Sequence, residues 1–83
     1  MDITECIRRM VAGSGKSARR LSGEMGRAQT WLATIMSRGT DPSASRVAGI
    51  ARVCGWRLVL RRDGEEMEVS ERADGHQGTA DRR

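Results

Sequence analysis

The sequence predicts a mainly α domain, four helices with a helix-turn-helix at their centre, followed by a C-terminal β-hairpin. Three observations carry this expectation. Apolar residues recur at helical spacing in four stretches before Gly55. Two of those stretches, inside Ser17 to Arg38, flank a single glycine, Gly26. At Gly55 the period changes from 3.6 to 2, and two alternating runs enclose Asp63-Gly64, a strong type I′ turn signal.

The first helix is expected to run to about Ala12, capped by Asp2 or Thr4. Its inner face is Ile3, Ile7, Met10 and Val11, with Cys6 beside them and Arg8 and Arg9 pointing outward. Gly13-Ser14-Gly15 ends it. The second helix opens on Ser17, whose hydroxyl can accept from a first-turn amide, and stops at Gly26, which tolerates the left-handed conformation. Ala18, Leu21, Ser22 and Met25 share its inner face, where small Ala18 and Ser22 allow close approach. Ala28, Leu32 and Ile35 repeat at i, i+4 and i+7 in the third helix. That spacing leaves almost no linker and a steep crossing.

Residues 38–42 read as a turn, and Asp41 or Ser43 can start the fourth helix, which buries Val47, Ile50, Ala51 and Cys54. Gly23 and Gly49 inside helices cost about 1 kcal/mol each relative to Ala, and close helix packing would account for them. The run Trp56 to Arg62 alternates, as does Glu65 to Val69. A two-residue loop sets Arg62 opposite Glu65, Arg61 opposite Glu66, Leu60 opposite Met67 and Leu58 opposite Val69. Trp56, Leu58, Leu60, Met67 and Val69 then share one face, and the other face pairs Arg with Glu. Residues 1–71 thus form one domain, with the hairpin at 56–70. Residues 72–83 lack apolar periodicity and are expected to be a disordered tail.

Composition narrows the function. No run approaches the ~20 apolar residues of a membrane span, and no secretory signal is visible, so a cytoplasmic location is expected. The net charge of +4 is unevenly spread. Met1 to Arg62 carries 12 Lys/Arg against 4 Asp/Glu, whereas Asp63 to Arg83 carries 3 against 7. A helical region at +8 suits a polyanion such as a phosphate backbone, although a solvated basic surface has the same composition. Two distant cysteines, Cys6 and Cys54, and one His make no metal set, so no metal or cofactor is expected, and the thiols read as buried and free. Gly13 to Ser17, G-S-G-K-S, ends like a phosphate-binding loop. The glycine that the full motif requires falls on Met10, and a helix rather than a strand precedes it. Lys16 and Ser17 fit a DNA phosphate better. No nucleophile–base set or paired carboxylates appear, so an enzyme is not expected.

The stretch from Ser17 to Gly55 resembles the helix-turn-helix of the XRE family, the Cro and repressor-type regulators of phages and bacteria. Leu21, Ser22, Gly26, Leu32 and Ile35 stand at the matching places, and Pro42-Ser43, Val47, Ile50-Ala51 and Cys54-Gly55 match the family's next helix. Three departures stand out. Ala28 replaces the usual Ser or Thr cap, Met36 replaces a Glu, and the glycine expected at Arg38 comes at Gly39.

The resemblance implies a Cro/repressor-like fold and sequence-specific binding of double-stranded DNA, in a repressor acting by operator occlusion. It implies that Gln29, Thr30, Ala33 and Thr34 face the bases. Gln29 suits adenine, and a Thr or Ala methyl suits a thymine methyl. Lys16, Ser17, Arg27 and Arg38 are candidates for phosphate or minor-groove contact. Trp31, one turn before Ile35, reads as half-buried packing. A two-fold dimer would set two such helices one DNA turn apart, and the hairpin face of Trp56, Leu58, Leu60, Met67 and Val69 is the candidate dimerisation surface. The alternative is an antitoxin or adaptor-type interaction module, whose acidic end from Asp63 would serve a protein partner such as a toxin.

Overall fold

The computed structural model describes residues 1–72. They form four helices, α1 (Ile3–Gly13), α2 (Ala18–Glu24), α3 (Trp31–Arg38) and α4 (Ala44–Val53), and then a hairpin of β1 (Leu58–Arg62) and β2 (Glu65–Val69). Residues 73–83, most of the expected disordered tail, lie outside the described residues. Among the described residues, no helix is long and apolar enough to cross a membrane.

Each helix start has a local cause except one. Asp2 caps α1 by accepting from the Glu5 amide at 2.9 Å, and Ser17 caps α2 by accepting from Arg20 at 3.0 Å. Ser43 caps α4 by accepting from Arg46 at 3.2 Å. At α3 the preceding Thr30 makes no side-chain cap bond. This helix also begins later than its apolar spacing suggests. Residues 25–30 form the connection, and Ala28 is exposed in it rather than on the buried face. The expectation of almost no linker is therefore corrected. Gly26 turns the chain at φ +71°, and Gly39 ends α3 in the left-handed conformation.

The core is Ile7, Met10, Leu21, Leu32, Ile35, Ile50 and Ala51, drawn from all four helices. Ile3, Val11, Ala18, Met25 and Trp31 pack around it half-buried. Cys6 and Cys54 are half-buried and unbridged, less enclosed than expected. Arg8 does not simply point outward: its Nη2 donates to the Met36 carbonyl at 2.8 Å, tying α1 to the last turn of α3.

Of the two helical glycines, Gly23 has open space where a Cβ would stand, so packing does not account for it. Gly49 is different. A Cβ there would lie 2.6 Å from Glu71 Oε2 and 3.0 Å from Met25 Cε. The Glu71 carboxylate rests on α4 at this point, where it also accepts from Arg52 at 2.9 and 3.1 Å. One residue on, the Arg72 amide donates to Ser45 Oγ at 2.5 Å. The chain after the hairpin is thus fastened back to α4, one residue beyond the expected domain end.

The hairpin register is the one that alternation predicts: Leu58 opposite Val69, Leu60 opposite Met67, Arg61 opposite Glu66, Arg62 opposite Glu65. Asp63 at φ +39° and Gly64 at φ +88° give the type I′ turn. The first strand starts at Leu58, two residues later than the alternation does, and leaves Trp56 in the connection. Ion pairs line the ribbon at Arg57–Glu68 (3.6 Å), Arg61–Glu66 (3.9 Å) and Arg62–Glu65 (2.6 Å).

Candidate nucleic-acid interface

The α2–α3 pair is held by one buried hydroxyl. Ser22, fully enclosed, donates to the Ala18 carbonyl at 2.8 Å and accepts from the Leu32 amide at 3.1 Å. That amide belongs to the first turn of α3, where nothing inside the helix can accept from it. Ser22 therefore caps α3 from outside, and its carbonyl also accepts from Arg27 at 2.9 Å across the turn. Leu32 and Ile35 anchor the inner side of α3 in the core.

The outer side of α3 carries the residues singled out in the sequence. Ala33 and Thr34 within α3 and Thr30, the cap residue just ahead of it, fall at i+3, i+4 and i, and all are exposed. Gln29 is also exposed but precedes the helix, in the connection. Trp31 is half-buried against the core, and the Arg27 guanidinium lies over its ring at 5.0 Å. This stacking holds Arg27 beside the row rather than free in solvent.

The remaining basic candidates divide into two groups. Lys16 is engaged within the protein: its Nζ meets Glu24 Oε1 at 3.0 Å, and Arg20 reaches the same carboxylate at 3.3 Å. The Lys16 bond, aided by the two positive charges, holds the Glu24 carboxyl below its ordinary range. Ser17 is exposed, with its hydroxyl already accepting from Arg20. Arg38, in the last turn of α3, is exposed and has no side-chain partner among the described residues. Arg19 and Arg46 are in the same state, and sequence reasoning passed over both. Their only signal was the count of basic residues. Residues 14–17 follow a helix, not a strand, and form a loop that Ser14 ties through its hydroxyl to Val11 and Lys16.

The candidate dimerisation residues lie elsewhere. Leu58 and Val69 are half-buried at the base of the hairpin, while Trp56, Leu60 and Met67 are 60%, 57% and 65% exposed. A mainly apolar groove of about 390 Å³ runs between α1, α4 and the hairpin base, lined by Met1, Ile3, Cys6, Val47, Trp56 and Leu58 among others. Cys54 faces the other way chemically: burial pushes its thiol up, so it stays protonated near neutral pH. Set beside models of protein families, curated proteins and solved structures, the chain matches none of them.

Proposed function

We propose that this protein is a sequence-specific, double-stranded-DNA-binding transcription regulator, a dimeric repressor that acts in the cytoplasm by occluding an operator. In this reading α2 and α3 are a helix-turn-helix of the XRE type, and α3 lies in the major groove. The observation that carries it is the exposed row of Thr30, Ala33 and Thr34, with Gln29 just ahead, on a helix whose opposite side is anchored by Leu32 and Ile35. Gln29 reads adenine, the Thr and Ala methyls meet thymine, and Arg27 and Arg38 hold phosphates with Ser17. Lys16 contributes only if it leaves Glu24. The surplus of cations before Asp63 supplies sequence-independent attraction. No catalytic step belongs to this reading.

Selection of bound sites from random duplexes, followed by two substitutions, tests it. Gln29→Ala should cost about 1–3 kcal/mol at one base pair, and Arg38→Ala should weaken all duplexes alike and reduce the salt slope by about one. An unchanged preferred site in Gln29→Ala would show that the reading face is misplaced. A second reading, an antitoxin or adaptor-type module, draws on the apolar groove beside Trp56, which a protein partner could fill. A stable complex with a small protein, formed without any selected DNA site, would favour it.

A further inference from the structure

Among the described residues no third strand joins the hairpin at either edge, and the charges of the two edges differ. In the type I′ turn the Glu65 amide bonds the Arg62 carbonyl, so Arg62 and Glu65 are a hydrogen-bonded pair. Antiparallel pairs alternate, so Leu60–Met67 and Leu58–Val69 are bonded inward as well. The backbone groups of Val59 and Arg61 on β1, and of Glu66 and Glu68 on β2, therefore turn outward to the two edges. Any strand added at an edge must pair with these residues.

Charge decides which edge accepts a second copy of the same strand. For β2, full antiparallel overlap puts Glu66 opposite Glu68 of the second copy, twice. Sliding one step either way sets Glu66 against Glu66 or Glu68 against Glu68. Directly opposed like charges destabilise a sheet, so each of these three registers of β2 with itself is penalised. For β1, the register centred on Leu60 pairs all five strand residues: Leu60 with Leu60, Val59 with Arg61, and Leu58 with Arg62. It opposes no like charges, and it continues with Arg57 opposite Asp63. A step toward the base sets Arg57 against Arg61, and a step toward the tip sets Arg61 against Arg61.

We infer that two copies of the chain associate through the β1 edge, antiparallel and centred on Leu60, into a four-stranded sheet ordered β2-β1-β1-β2. This inference rests on the dimeric reading above and gives it an edge and a register. A two-fold axis through a shared antiparallel pair stands perpendicular to the sheet, so the apolar faces of both hairpins lie on the same side. Leu60, 57% exposed in one chain, then sits against its own copy, and the tip of each hairpin reaches the partner's Trp56. The edges left outside are the glutamate-bearing β2 strands, which resist further addition, so the assembly closes at two.

Single cysteines placed in the full-length chain, with Cys6 and Cys54 replaced by serine, test the geometry. Circular dichroism and sedimentation of the serine background should first match those of the native chain. Leu60 faces its copy as a non-hydrogen-bonded pair, about 4.5 Å between Cα atoms, within disulfide reach. Met67 of the two copies would lie three strand spacings apart, roughly 14 Å. L60C should therefore oxidise to covalent dimers in a glutathione buffer while M67C stays monomeric on a denaturing gel. L60K, which opposes two ammonium groups at an exposed site, should raise the dimer dissociation constant at least ~10-fold with unchanged circular dichroism. Selective crosslinking of M67C, or a native dimer that L60K leaves intact, overturns the edge assignment while the dimer stands. A native chain that sediments as a monomer at 100 μM (about the top of a practical range) overturns both, and duplex binding by Gln29 remains a separate measurement.

Discussion

Leu32 and Leu60 are the same residue type on short elements of one small chain, yet Leu32 is fully buried and Leu60 is 57% exposed. The contrast runs through the whole molecule. In residues 3–53 every helix gives side chains to one shared core, and the polar groups at the junctions find partners. The hairpin is regular in register and in its ion pairs, but Leu58 and Val69 at its base are half-buried while Leu60 and Met67 stand in solvent. The helices bury their apolar residues against one another, whereas Leu60 and Met67 stay largely exposed. Apolar area of that kind is spent usefully only against another surface.

The sharpest way to break this comparison is to truncate both leucines. Leu32→Ala should destabilise by about 2–5 kcal/mol, and Leu60→Ala should change the monomer by less than about 0.5 kcal/mol, read from urea midpoints at low protein concentration. Comparable losses would mean that the hairpin tip is as well packed as the core. Next in size is the buried hydroxyl. Ser22→Ala leaves the Leu32 amide without an acceptor and should cost about 1–3 kcal/mol, whereas Thr30→Ala removes no cap bond and should stay within about 0.5 kcal/mol. A larger effect at Thr30 would place the cap within α3 after all.

The fastening of the hairpin to α4 is smaller still. Gly49→Ala gains roughly 1 kcal/mol of helix propensity but pushes the Glu71 carboxylate off its seat beside Arg52. Glu71→Ala in the Gly49→Ala background should then cost less than it does in the native chain, and a double-mutant cycle measures that difference. Strict additivity would show that the two do not meet. The smallest effect is at Glu24. Its folded pKa is depressed chiefly by the Lys16 hydrogen bond, so its stabilising contribution is present above the unfolded value and is lost as pH falls through the folded one. The stability difference between native and Glu24→Gln chains should shrink on acidification from pH 6 toward about pH 3, and a difference constant over that range would argue against the ion pair.

The parts legible from sequence were those with local causes. Alternation on both sides of Asp63-Gly64 allows one register, and the structure has it. Asp2, Ser17 and Ser43 cap helices they immediately precede. The start of α3 was misjudged because its cap is not local: Ser22 reaches Leu32 ten residues away. The same holds for Arg8, whose acceptor is 28 residues distant, and for Gly49, whose reason is Glu71. At the proposed interface, spacing along α3 placed Thr30, Ala33 and Thr34 together, but it also put Gln29 on a helix where the structure has a turn. Lys16 read as a free cation because its partner, Glu24, stands eight residues on, at the far end of α2.

The hydroxyl of Ser22 also separates two demands that most helix starts combine. A helix capped by its own leading residue ties that residue to Ser, Thr, Asp or Asn, whatever else the position is asked to do. In this chain the first α3 amide, Trp31, bonds the Ala28 carbonyl and the second, Leu32, bonds Ser22 of the neighbouring helix, so the side chains of residues 28–30 are released from that duty. Gln29 and Thr30 can then be exchanged for other polar or apolar residues with little effect on folding. A lineage carrying this arrangement could vary the turn before α3 one residue at a time, with each intermediate still folded.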